Sequence, residues 1–186
     1  MSRTLRVAGM ALFMASAFAS ARAESGEGVA EYQVPRVYLE DAQHKKHDMS
    51  RYFDKHHVHV VSFVFVDCKV SCPITVGVIK NLMKTLDAYG PKVRVTLITI
   101  DPDRDSSSRL ASHFGADGAS ERFTFLSGSY DDIVQMQRAF RVYRGDKMNH
   151  PNVILVSYPD SSGWSRFEGL TSSESIAVEM RQHLDH

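Results

Sequence analysis

Hydrophobic and polar positions along the chain mark out a series of alternating strands and helices. Val58 to Val66 is a nearly continuous run of β-branched and aromatic residues, the pattern of a strand buried on both faces. After Pro73 the apolar residues Ile74, Val78, Leu82 and Leu86 recur every fourth position, which predicts a helix that Gly90-Pro91 ends. Val93 to Ile100 repeats the buried-strand pattern, so this stretch reads as a βαβ unit with a right-handed crossover. Ser107 to Phe114 predicts a short helix that stops at Gly115, and Phe123 to Leu126 predicts a strand. Ser129 with Asp132 is a capping pair for a helix reaching Phe140. Val153 to Val156 and Trp164 to Glu168 form a hairpin around the turn Pro159 to Gly163. Thr171 with Glu174 forms a capping box for a last helix to Leu184. Ahead of these elements, Arg36 to Asp48 reads as a small hairpin turning near Ala42 to Lys46.

That order predicts an α/β fold: a thioredoxin-like mixed sheet flanked by helices, with an extra N-terminal β-hairpin. The 186 residues fit one domain, and neither a repeat nor an internal linker divides it. Apolar residues make up 43% of the chain and charged residues 24%, with 22 basic against 22 acidic side chains. This balance excludes a disordered or collagen-like chain and offers no basic surface for nucleic acid.

The N-terminus changes the picture of where this domain works. Arg3 and Arg6 precede a small and apolar run from Val7 to Ala21, followed by the small-x-small site Ala21-Arg22-Ala23. This is the pattern of a secretory signal, and the run falls short of the about 20 apolar residues a membrane span needs. The expected division is a signal peptide over 1–23, a flexible lead-in over 24–33 and a single domain over 34–186. An uncleaved anchor is the alternative. The expected compartment is the periplasm, an oxidising one in which a close pair of thiols can join as a disulfide.

The two cysteines lie in Cys68-Lys69-Val70-Ser71-Cys72-Pro73, where the first strong strand hands over to the helix. With Pro73 at the first helical position, Cys72 stands at the helix N-terminus, where the macrodipole favours a thiolate. Three residues separate the cysteines, against two in thioredoxin-type oxidoreductases. An inert or statically bridged pair is the plain alternative. Met148-Asn149-His150-Pro151 precedes the strand at Val153, and in a thioredoxin-like sheet this segment faces the cysteine helix. Two thiolates and an imidazole make a soft-leaning set suited to copper as Cu(I) or Cu(II).

The remaining candidates have plainer readings. His56, His57 and His59 read as a polar strand entrance, and His183 and His186 as the polar end of the last helix. Met148 reads as a packing residue before a weak thioether ligand. Asp101, Asp103 and Asp105 follow a strand end, where turn chemistry and support of a site are equally served.

The chain resembles the Sco/SenC family of copper chaperones for cytochrome c oxidase assembly. The residues that carry the resemblance are Cys68 to Pro73, Ile100-Asp101-Pro102-Asp103-Arg104-Asp105, Phe125-Leu126-Ser127-Gly128-Ser129, Phe140-Arg141-Val142-Tyr143 and His150. The resemblance implies a thioredoxin-like fold and copper ligands at Cys68, Cys72 and His150. It implies as partner the copper-acceptor subunit of a haem–copper oxidase, with another periplasmic copper carrier as a further candidate. The expected role is a metallochaperone, with no membrane contact except through the acceptor or an uncleaved anchor. A thiol–disulfide oxidoreductase using Cys68 and Cys72 as a redox-active pair, to keep acceptor cysteines reduced, is the alternative.

Overall fold

The computed structural model describes residues 28–115 and 122–185. The expected signal peptide therefore lies outside the described residues, as does His186. A six-stranded sheet forms the centre, ordered β1-β8-β7-β4-β5-β6, and a two-stranded hairpin, β2-β3, stands apart from it. The strands are β1 (Gly28–Ala30), β2 (Tyr38–Glu40), β3 (Lys46–Asp48), β4 (Val58–Val64), β5 (Val93–Thr99), β6 (Phe123–Leu126), β7 (Val153–Ser157) and β8 (Trp164–Glu168). The helices are α1 (Met49–Tyr52), α2 (Ser71–Thr85), α3 (Ser107–Phe114), α4 (Tyr130–Ala139) and α5 (Ser173–Leu184).

Every residue of β4 is buried, as its unbroken apolar run predicts for a central strand. It pairs in parallel with β5 and antiparallel with β7. The C-terminal end of β4 therefore lies beside the N-terminal end of β7, so the cysteine loop that leaves one strand faces the His150 segment that enters the other. α2 and α5 pack against each other beside the sheet. One face of β4 carries His59, Val61 and Phe63, as strand alternation requires. A cluster of aromatic rings, Tyr32, Phe53, Phe140 and Trp164, gathers about Phe63 and His59.

The hairpin joins the main sheet at its edge, through paired main-chain bonds between Glu40 and Ser127. Gly128 makes that approach possible: a Cβ there would fall 2.6 Å from a methyl carbon of Leu39 and 3.3 Å from the Tyr38 carbonyl.

Several expectations shift. Residues 28–30, placed in the flexible lead-in, pair with β8 as an edge strand from Gly28↔Arg166 to Ala30↔Trp164. Main-chain pairing carries this strand, which is three residues long with Val29 exposed, so no apolar pattern marks it. α2 begins at Ser71, which puts Pro73 third and not first, still within the turn whose N–H groups have no intrahelical acceptor. The buried face of α2 is Cys72, Thr75, Val76, Ile79, Leu82 and Met83, while Ile74 is exposed. A strict four-residue step drifts around a helix of 3.6 residues per turn, so the every-fourth pattern follows the face only in part. Beyond Thr85 a 3-10 helix, Asp87–Lys92, carries the chain through Gly90-Pro91. The last helix is capped by Ser172, whose hydroxyl accepts the Ser175 N–H, one position later than the Thr171 box. Ser129 caps α4 through the Asp132 N–H as expected.

Candidate metal centre

The cysteine loop is held by a buried carboxylate. Asp105, 1% exposed, accepts the Val66 N–H at 2.9 Å and the Thr99 hydroxyl at 3.3 Å. Its other oxygen faces the Arg109 guanidinium at 3.4 Å. Arg109 and Arg104 also face Asp67, so the residue before Cys68 belongs to the same charged network. The Cys68 N–H turns back to the Phe65 carbonyl, closing the loop before α2.

Within the loop the two sulfurs have different surroundings. Cys68 Sγ accepts the Cys72 N–H at 3.1 Å and lies 3.0 Å from the Ser71 hydroxyl. Burial pushes the Cys68 thiol up. Hydrogen bonds from the Cys72 side chain, from Ser71 and from the Cys72 and Val70 main chain outweigh it and leave Cys68 below an ordinary thiol. Cys72 lies in the first turn with its side chain turned into the core, 1% exposed. Burial first, then the neighbouring Cys68 sulfur, hold it well above an ordinary thiol. This reverses the expectation of a Cys72 thiolate: the helix N-terminus aims its N–H at Cys68, and Cys72 merely sits on that turn. Both cysteines are free thiols.

His150 follows a 3-10 turn, Lys147–Asn149, capped by the Asp146 carboxylate through the Met148 N–H. Its Nδ1 lies 3.1 Å from the Pro151 carbonyl, which assigns the proton to Nδ1 and leaves the Nε2 lone pair free. That Nε2 lies 3.6 Å from Cys72 Sγ. Burial lowers the ring's proton affinity, partly offset by the bond to Pro151, so the neutral, ligand-ready form is favoured. Phe65 packs edge-on against the ring with centroids 5.6 Å apart, and Lys147 lies over Phe65 while pairing closely with Asp101.

The ligand atoms of Cys68, Cys72 and His150 all lie within 4.8 Å of one another. The three residues singled out in the sequence thus converge, and two sulfurs with one neutral imidazole form a donor set that fits a soft or borderline metal. Both sulfurs are buried, so the site is more enclosed than a loop position suggests. On the His150 side lies a cleft of about 260 Å³ whose lining includes Asp101, Tyr130, Tyr143, Lys147 and His150. Met148, expected to pack, is 67% exposed and outside the cluster. Asp101 holds Lys147, and Asp103 is exposed in the turn. Sequence reasoning did not find Ser71, Phe65 or Lys147. Only Ser71 carried a signal, as a small hydroxyl between the cysteines at the start of a helix.

A second cluster gathers Asp54, His57 and His59, with ligand atoms again within 4.8 Å of one another. His59 is not part of a polar strand entrance. It is 2% exposed because strand alternation turns it onto the aromatic face of β4. Burial pushes its pKa down to about 4, only partly countered by Asp54. His183, by contrast, stacks on Tyr158 and faces the Asp160 carboxylate at the end of α5.

Comparison with known proteins then places the chain. The SCO1/SenC family model matches residues 40–185. This protein belongs to the SCO1/SenC family. Among curated relatives, the mitochondrial SCO2 homolog of Bos taurus is 28% identical over 133 residues, 66% of this chain and 49% of that protein. The chain thus spans about half the length of the curated relatives it matches. Among solved structures, ScoI of Bradyrhizobium japonicum with copper bound is 22% identical, with a TM-score of 0.65 over 81% of this chain and 99% of that one. Yeast Sco1 with copper bound is 18% identical, with a TM-score of 0.67 over 83% and 89%. These likenesses establish the thioredoxin-like fold of the family. Among the described residues no helix is long and apolar enough to cross a membrane.

Proposed function

We propose that this SCO1/SenC protein takes up copper as cargo through Cys68, Cys72 and His150 and delivers it to the copper centre of a haem–copper oxidase subunit. The observation that carries the proposal is the convergence of two sulfurs and a neutral imidazole at the junction of β4, α2 and β7. Copper-bound relatives of the same fold and the family's link to cytochrome c oxidase assembly support it. Three protein ligands leave the ion open to an incoming ligand, whereas a fourth would close the site as structural zinc sites do. Exposed apolar side chains on the same segments, Val70, Ile74 and Met148, suit a protein acceptor docking over the ligands. The leader expected over 1–23 supports a periplasmic setting.

A second reading is favoured by the contrast between the sulfurs. A low thiol at Cys68 beside a high one at Cys72 is the arrangement of a thiol–disulfide oxidoreductase. The Cys68 thiolate would attack a disulfide in the acceptor and form a mixed disulfide. Cys72, giving up its proton, would then attack Cys68 and release the acceptor as two thiols, leaving a Cys68–Cys72 disulfide.

Two experiments, a copper titration and a complementation assay, separate the readings. The reduced chain, titrated with Cu(I) and with Cu(II), is expected to bind one copper. Cys68→Ser and Cys72→Ser should abolish tight binding, and His150→Ala should weaken Cu(II) more than Cu(I). In a strain lacking the gene and grown at scarce copper, His150→Ala should fail to restore oxidase activity. Full restoration by His150→Ala, with none by Cys68→Ser, would select the reductase.

A further inference from the structure

We propose that Asp54, His57 and His59 form a second metal site, for a borderline divalent cation of the Zn²⁺ and Cu²⁺ class, at the opposite end of β4 from the cysteine loop. The site is built by local chain geometry. After α1 the Asp54 Oδ1 accepts the main-chain N–H groups of His56 at 2.7 Å and His57 at 3.0 Å, so the carboxylate is fixed by the turn. That turn sets the His57 Nδ1 at 2.9 Å from Oδ1 and 3.0 Å from Oδ2. Two residues later β4 has begun, and the ring of His59 comes to 6.1 Å from that of His57.

His59 is the feature that a plain structural account leaves unexplained. It is 2% exposed, and neither ring nitrogen makes a well-formed hydrogen bond among the described residues. Asp54 Oδ1 stands 3.8 Å from its Nε2, too far for one. A buried nitrogen without a partner costs about 1–3 kcal/mol. Packing among Tyr52 and Phe53 alone would suit a phenylalanine better. A cation between the rings satisfies a lone pair of His59 and replaces the proton between His57 and Asp54. Two imidazoles and a carboxylate are donors that Zn²⁺ accepts, and Cu²⁺ binds such sets more tightly. Asp54 and His57 are part-exposed, with side chains 38% and 24% accessible, so solvent can supply the remaining ligand.

One group opposes the cation. The Arg94 guanidinium lies 3.3 Å from His57 Nε2. With a metal on Nδ1 that nitrogen carries the proton, so the exposed Arg94 side chain must turn away. Arg94→Ala should therefore tighten the site, a result that no structural role for the histidines predicts.

The test uses the full chain carrying Cys68→Ser and Cys72→Ser, so that thiolates cannot compete, with Zn²⁺ as the probe. Calorimetry should show one Zn²⁺ per chain at micromolar affinity. His57→Ala and Asp54→Asn should each weaken it about tenfold or more, and Arg94→Ala should strengthen it severalfold. In nitrogen-15 spectra the ring signals of His57 and His59 should move together as Zn²⁺ is added. His59→Phe, which keeps the aromatic packing, should lose the site while remaining folded; should that variant not fold, His57→Ala and the ring signals decide. Unmoved His59 ring signals, binding unchanged in His57→Ala, or no saturable binding would each overturn the proposal.

Discussion

The Cys72 N–H donates to Cys68 Sγ at 3.1 Å, so the first turn of α2 directs its positive end at one sulfur of the pair and not at the sulfur it carries. Helix position thus favours the cysteine that precedes the helix. Cys68 should accordingly be the reactive thiol. At pH 7 iodoacetamide should alkylate the Cys72→Ser variant at least about tenfold faster than the Cys68→Ser variant, because the thiolate is the nucleophile. Equal rates would show that the N–H does not distinguish the two sulfurs.

Air oxidation should join the free thiols. The oxidised chain is expected to weigh two hydrogens less, to regain them on reduction, and to bind copper only in the reduced form. Two freely alkylatable thiols after prolonged oxidation would refute this.

Asp105 should be a stability residue that also holds the loop. Asp105→Ala strands the buried Val66 N–H and should cost about 2–3 kcal/mol in denaturant unfolding. Asp105→Asn keeps an acceptor oxygen and should cost less. The predicted order is wild type, then Asn, then Ala, and an inverted order would rule out the loop role.

His59 makes stability depend on pH. Its folded pKa is about 4 against 6.5 for the free side chain, so the unfolded chain takes up a proton that the folded chain refuses. The stability is fully present above pH 6.5 and is lost as pH falls toward 4, with a slope of up to about 1.4 kcal/mol per pH unit. Across the window this amounts to about 3 kcal/mol. Unfolding free energies at pH 7.5 and pH 4.5 for the wild type and His59→Phe measure it. The variant should lose about that share of the dependence, leaving the part due to His150 and the paired carboxylates.

Lys147 should position His150 without touching the metal. It pairs with Asp101, lies over Phe65, and its carbonyl receives the His150 N–H. Lys147→Met should lower Cu(II) affinity about tenfold, in the range of outer-shell changes, with little effect on Cu(I). A thermal scan should show both chains melting alike, which separates positioning from folding.

The convergence of Cys68, Cys72 and His150 was legible in the sequence because the cysteine loop follows the end of one strand and His150 precedes the start of another, and strand order in this fold brings those ends together. The central strands were legible for a related reason: β4 and β5 are buried on both faces, so apolar runs mark them directly. The misplaced features depend on partners distant in the chain. β1 exists because β8 offers an edge, and nothing in Gly28–Ala30 announces it. The reversal of the two thiols depends on a side-chain direction that spacing does not encode. His59 looked like an entry residue because the aromatic cover above it comes from Tyr52 and Phe53, whose placement depends on the turn at Asp54.

Cys72 and His150 meet across 78 positions of sequence, and only the antiparallel pairing of β4 with β7 closes that gap. An unfolded chain therefore has no assembled site, and a metal held by all three residues would resist unfolding with the logarithm of its excess over the dissociation constant, about 4 kcal/mol at a thousandfold excess. On the proposed function, cargo and lifetime would be coupled: the loaded protein would be shielded from proteases that act on opened chains, while the empty one would turn over faster. The abundance of this protein would then follow the supply of its own cargo without any dedicated sensor.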